Sequence, residues 1–99
     1  AQRTARFLAP RAPRGARVTR VLRPPKRIDV VLDGSGLPAV VRIGRDSDRV
    51  NVVEQFRVSE RWLANPIDRA YMKVVGSTWI ILIFHDLLSG DWFLERIFD

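Results

Sequence analysis

The sequence predicts an all-β domain, a small curved antiparallel sheet or barrel of five to six strands that follows a basic N-terminal arm. The first observation is a series of short apolar segments separated by turns rich in Gly, Asp, Ser and Pro, without an amphipathic segment of helical length. The second is residues 79–84, six consecutive apolar residues rich in β-branched and aromatic side chains. Such a run suits a central strand that is covered on both faces. An SH3-like barrel is the first choice of architecture, and an OB-like barrel is the second.

A central hairpin is predicted around this run. Residues 71–75 precede it, and Gly76-Ser77 between the two segments predicts a two-residue turn of type II′. That turn pairs Val75 with Thr78 and Val74 with Trp79. The side chains that then share one face are the predicted core: Met72, Val74, Trp79 and Ile81.

The other strands are expected at close intervals along the chain. They are residues 28–32, 37–43, 50–58 and 92–98, with turns at residues 33–36, 44–48 and 87–91. The apolar alternation slips near Val52-Val53, which predicts a bulge where a small barrel turns a corner. Ser59 is expected to cap one helical turn that folds Trp62 inward.

Charge divides the chain into two parts. The net charge is +6, but residues 1–24 contain seven arginines and no acid, whereas residues 25–99 contain ten Lys/Arg against eleven Asp/Glu. Four prolines within residues 1–25 disfavour helix there. We therefore expect residues 1–25 to be a largely flexible basic arm, with residues 18–22 adding an edge strand or a short turn, and residues 26–99 to be the β domain.

The arginine content of the arm indicates contact with nucleic acid, because unpaired guanidinium groups neutralise phosphates and release counterions. The residues expected to make this contact are Arg3, Arg6, Arg11, Arg14, Arg17, Arg20 and Arg23. Aromatic side chains on the sheet are candidates for stacking on single-stranded bases. Most of them must build the core, and Tyr71 and Phe93 are the two expected to face outward. The alternative for the arm is a solubilising, interdomain or leader segment.

Catalytic, metal and cofactor sites are not predicted, so we expect no enzyme. The chain has no cysteine, which excludes a zinc–thiolate site and fits a reducing cytoplasm. His85-Asp86 lacks the further groups of a catalytic triad, and it is expected to end a strand where Asp86 starts a turn. Residues 33–36 lack the Lys-Ser/Thr of a phosphate-binding loop. No apolar run approaches the ~20 residues of a membrane span, so no membrane contact is expected.

Four motifs in the second half form an ordered set: Glu60-Arg61-Trp62-Leu63, Pro66-Ile67-Asp68-Arg69-Ala70-Tyr71, Leu82-Ile83-Phe84-His85-Asp86-Leu87 and Ser89-Gly90-Asp91-Trp92-Phe93-Leu94. This set resembles a small bacterial domain of unknown function that is found alone or beside Y-family DNA polymerase-like proteins. A similar tail ends the catalytically inactive polymerase homologue of the bacterial mutasome. The match covers about residues 24–98, and it departs from the pattern at Leu63, Met72 and His85, where Trp, Tyr and Arg are usual. The resemblance implies a role in DNA damage tolerance and translesion synthesis, without catalysis.

The sequence supports two functional hypotheses from different classes. One is an accessory module whose arginine arm contacts DNA phosphates. The other is a protein-interaction adaptor that docks a DNA polymerase or repair protein through an exposed sheet edge or an aromatic groove. The near-neutral balance of residues 25–99 favours the adaptor for the barrel, whereas the arm favours nucleic acid for the chain.

Overall fold

Residues 18–60, 62 and 64–98 are described by a computed structural model, in which they form six antiparallel strands and the turns between them. The strands are β1 (Val18–Leu32), β2 (Pro38–Ile43), β3 (Asp46–Glu60), β4 (Ile67–Gly76), β5 (Ile80–Asp86) and β6 (Trp92–Phe98). These residues contain no helix, and hence none of the length and apolarity needed to cross a membrane. The all-β prediction of six strands is confirmed.

Each strand pairs with the next along the chain, and β6 pairs with β1, so the sheet closes into a barrel. The two fifteen-residue strands change neighbours part-way. In β1, residues 29–32 pair with β2 and residues 18–28 with β6. In β3, residues 46–49 pair with β2 and residues 50–60 with β4. This sequential order lacks the Greek-key crossover of an OB-fold, so the connectivity favours the SH3-like interpretation.

The barrel begins earlier in the chain than composition indicates. β1 starts at Val18, which pairs with Phe98, and Leu22 packs against the core. Residues 18–25 therefore form the first half of a barrel strand. The interpretation of an arm stays a prediction for residues 1–17, which lie outside the described residues.

The third strand is also longer than predicted. Its pairing register shifts between Val52 and Glu54, which confirms the bulge. The helical turn expected at Ser59 is wrong, because Ser59 pairs with Asp68 in the β3–β4 ladder. Trp62 is 80% exposed and does not fold inward.

Aliphatic side chains fill the barrel interior. The buried set is Ile28, Val41, Val50, Met72, Val74, Ile81, Ile83 and Leu94, with Trp79 partly buried against it. The predicted core face of the central hairpin is therefore confirmed. β5 lies between β4 and β6, and Leu82 and Phe84 on its opposite face are buried as well, as the six-residue apolar run predicts.

The central hairpin has a longer turn than predicted. Val75 pairs with Ile80, two residues beyond Thr78, and the Gly76 N–H donates to the Trp79 carbonyl oxygen at 2.8 Å. The cause lies on β3, where the Asp48 carboxylate accepts hydrogen bonds from the Thr78 N–H and hydroxyl, both at 3.0 Å. These bonds hold the turn against β3. Since the shift is an even number of residues, every side chain keeps its predicted face.

Candidate functional site

Four aromatic side chains from four neighbouring strands stand side by side on the outer face of the barrel. In the strand registers Phe56 lies opposite Tyr71, Tyr71 opposite Phe84, and Phe84 opposite Phe93. The successive ring centroids are 4.9, 5.1 and 5.2 Å apart. These distances follow the spacing of about 4.8 Å between paired strands. We refer to these four rings as the aromatic column.

The aromatic column is buried along its middle and exposed at its β3 end. Tyr71 and Phe84 are 8% and 2% exposed, whereas Phe56 is 45% exposed. Tyr71 and Phe93, the two predicted stacking residues, are thus brought onto one face, with Phe84 between them. Phe93 is half-buried, but the expectation that Tyr71 is exposed is wrong, because its neighbours on both sides cover its ring.

Charged side chains cover the middle of the column. The Arg69 guanidinium lies 4.4 Å from the centre of the Phe84 ring and donates to the Tyr71 hydroxyl at 3.1 Å. That hydroxyl donates to the Glu95 carboxylate at 2.8 Å, and Arg96 lies 3.4 Å from Glu95. Burial raises the pKa of the Tyr71 phenol, so it stays protonated and remains a donor.

The predicted phosphate-binding arginines fall into two groups. Arg20 and Arg23 lie on β1 and are exposed. The other five, Arg3, Arg6, Arg11, Arg14 and Arg17, lie outside the described residues. The chain enters β1 at Val18 beside Phe98, whose ring lies 4.7 Å from the Lys73 ammonium. The described chain therefore begins at an end of the outer face, beside Phe98 and close to the Lys73 ammonium.

The polar motifs that the sequence assigns to turns have structural partners. His85 stacks on Trp92 with ring centroids 4.4 Å apart, and Asp86 starts the next turn by accepting the Leu88 N–H at 2.9 Å. Asp33 accepts the Ser35 hydroxyl at 2.6 Å inside the β1–β2 turn, and this bond lowers the pKa of Asp33. In the part of the chain that the structure describes, no group of three or more His, Cys, Asp or Glu is placed to hold a metal ion.

The structure adds a feature that the sequence analysis missed, which is an open edge on β3. Residues 50–60 pair with β4 on one side, and on the other side they have no strand neighbour among residues 18–60 and 64–98. A β3 strand longer than β2 would indicate this open edge, because β2 cannot cover all of it. The sequence alone does not give the full length of β3, which depends on its pairing with β4. The exposed end of the aromatic column, Phe56, lies on this edge.

Compared with known proteins, the chain matches no protein family, no curated protein and no solved structure.

Proposed function

We propose that this protein is a non-catalytic accessory module that binds nucleic acid through its N-terminal arginines. The observation that carries the proposal is the charge distribution. Residues 1–17 contain five arginines and no acid, whereas residues 18–99 contain twelve Lys/Arg against eleven Asp/Glu. Each arginine can neutralise a phosphate and release a counterion. Contacts of this kind position a protein on nucleic acid without reading its sequence.

The barrel supports this proposal with exposed cations near the point where the chain enters β1. Arg20 and Arg23 are exposed on β1, and the half-exposed Arg96 lies on β6 opposite Val21. A strand of nucleic acid bound by the N-terminal segment would meet these side chains next. The arrangement favours an extended, mostly electrostatic contact over a pocket.

The biological setting that we propose is DNA damage tolerance in the bacterial cytoplasm, beside a DNA polymerase or repair protein. This part rests on the resemblance of residues 24–98 to the domain found with Y-family polymerase-like proteins. In the structure, the motifs that carry the resemblance supply much of the aromatic column, including Tyr71, Phe84 and Phe93.

A second candidate function is a protein-interaction adaptor, and the open edge of β3 favours it. Strand addition to such an edge gives affinity through backbone hydrogen bonds and specificity through alternate side chains. In this case the N-terminal segment is only a linker or solubilising tail.

Two variants with equal loss of charge test the first candidate. One replaces Arg11, Arg14 and Arg17 with Gln. The matched control replaces three exposed arginines of the barrel with Gln. They are Arg42 on β2, Arg45 in the following turn and Arg49 on β3. Binding to short labelled single- and double-stranded DNA is measured by fluorescence anisotropy at low salt.

The first variant should lose about tenfold or more in affinity for both DNA forms, while the control changes little. Equal losses in both variants would contradict a dedicated N-terminal contact, because net charge alone would then explain binding. An intact chain that binds neither form of DNA would refute the first candidate and leave the adaptor.

A further inference from the structure

Within the part of the chain that the structure describes, the barrel has two open strand edges, and they differ in how well they resist pairing. The edge of β1 along residues 18–28 carries Pro24 and Pro25 together with the exposed Arg20 and Arg23. Proline and protruding cations are among the devices that proteins use to block strand addition, and a bulge is another. The open edge of β3, residues 50–60, contains neither proline nor lysine, and its bulge at residues 52–54 leaves residues 54–60 as a regular open strand.

The one arginine on this β3 edge is already engaged. Two 2.9 Å hydrogen bonds join the Arg57 guanidinium to the buried Asp68 carboxylate on β4. The guanidinium therefore points back toward the sheet and does not block the addition of a strand to this edge. Val53 is 56% exposed on the same edge.

The aromatic column also ends at this edge, at Phe56. The Phe56 ring stacks on Tyr71 within 5° of parallel, and no second ring contacts it in the described part of the chain. Its other face is turned toward the position that a further strand would occupy. Since the ring spacing equals the strand spacing, an aromatic side chain on an added strand would continue the column.

We propose that the occupant of this edge is the β3 edge of a second copy of the chain. The two strands run antiparallel about a two-fold axis perpendicular to the sheet, with Phe56 opposite Phe56 of the second copy. The two aromatic columns then form one continuous stack across the dimer. An interface of this kind uses the same surface patch on both subunits. It does not depend on the nucleic-acid proposal.

The charges on β3 select this register. With Phe56 on the axis, Glu54 faces Val58 and Arg57 faces Gln55, so no like charges oppose each other within residues 54–58, which lie beyond the bulge. With Arg57 on the axis, two arginines meet and Glu54 faces Glu60, which is unfavourable. With Gln55 on the axis, Glu54 faces Phe56 and interrupts the aromatic stack.

Light scattering coupled to size-exclusion chromatography tests the association. The wild-type chain should approach twice its 11.4 kDa mass as concentration rises. Phe56→Lys should remain monomeric, because it places two cations face to face on the axis. Val31→Lys is the matched control: Val31 is 60% exposed but pairs with β2, so this variant should dimerise like the wild type. Thermal melts of both variants check that each is folded.

Disulfide trapping tests the register, and the chain has no cysteine to interfere. Glu54→Cys mixed with Val58→Cys should form a heterodimeric disulfide, because opposite residues lie about 4.5–5.5 Å apart at Cα, within disulfide range. Either variant alone should crosslink poorly, since its own thiols would be about 13 Å apart along the strands.

A wild type that stays monomeric at its highest soluble concentration overturns the dimer. The same holds for equal crosslinking in the mixed and separate samples. If the protein is monomeric and Phe56→Lys instead changes affinity for single-stranded DNA, a nucleobase occupies the end of the column. Loss of the dimer in Phe56→Lys with unchanged DNA affinity supports the dimer and leaves the nucleic-acid proposal intact.

Discussion

Ile81 lies at the centre of the barrel interior, where it is fully buried on β5 between Val74 and Ile97. Ile81→Ala removes three buried carbon atoms and leaves a cavity around which the surrounding side chains relax only partially. We expect it to lower the free energy of unfolding by about 2–5 kcal/mol, out of about 5–15 kcal/mol for a small domain. Urea denaturation measures the loss. Val31→Ala at an exposed site is the control and should change stability by less than about 0.5 kcal/mol. Equal stability of the two variants would contradict the core assignment.

Asp48 links stability to pH. Hydrogen bonds, first from the Thr78 N–H and then from the Ser77 hydroxyl, hold the pKa of this carboxyl below its ordinary value of 3.8 in the folded state. Above pH 3.8 the carboxylate is charged in both states, so its stabilising effect is fully present. As pH falls below that value, the unfolded state takes up the proton first, and the contribution disappears through the folded-state pKa.

The melting temperature should therefore fall more steeply below pH 4 in the wild type than in Asp48→Asn, which cannot titrate. Asp46→Asn, two residues earlier on the exposed part of β3, is the control and should keep the wild-type profile. Parallel profiles for the wild type and Asp48→Asn would show that the Asp48 bonds do not stabilise the turn.

Alternation along a strand indicates which face a side chain takes, but not what covers it. Alternation alone predicts that Tyr71 and Phe93 face outward, and both lie in the aromatic column on the outer face. The burial of Tyr71 depends on Phe56 and Phe84, which lie distant in sequence and become its neighbours only through strand register. For the same reason the sequence did not indicate Phe56 as the exposed end of the column.

At the scale of elements, Gly76 is required by close packing between the end of β4 and the start of β3. A Cβ atom at this position would contact the Asp48 carboxylate and lie 3.2 Å from the Arg49 carbonyl oxygen. The carboxylate cannot move aside without losing its bonds to Ser77 and Thr78. We expect Gly76→Ala to cost about 1–3 kcal/mol, the usual range for overpacking.

Gly34→Ala is the matched control, because nothing lies within 4 Å of its added Cβ atom. Thermal unfolding of the two variants side by side gives the comparison. A Gly76→Ala variant that melts with the control would mean that the turn relaxes away from β3.

Strand bounds were predictable where turn chemistry is local. Asp33 and Asp86 organise their turns with their own carboxylates, and β2 and β6 lie within one residue of their predicted bounds. Strand lengths that depend on a remote partner were not predictable. β1 extends through Pro24 because β6 pairs with its ends, and the central turn is set by Asp48, about thirty residues earlier in the chain.

At the scale of the whole molecule, the domain boundary predicted from composition differs from the boundary that strand pairing gives. Composition changes near residue 25, whereas the barrel starts at Val18. A truncation at residue 24 would remove the β1 segment that pairs with the end of β6 and would open the barrel. Variants that keep the full chain therefore separate the N-terminal charge from the fold.

The central claim is that nucleic-acid affinity comes from the arginines of residues 1–17. The most direct test is the dependence of DNA affinity on salt concentration in the full chain and in a variant with Gln at Arg3, Arg6, Arg11, Arg14 and Arg17. If about three to five of these arginines neutralise phosphates of duplex DNA, the slope of log affinity against log salt should be shallower in the variant by about 3 to 4.5. Equal slopes and equal affinities would contradict the claim and place any binding site on the barrel.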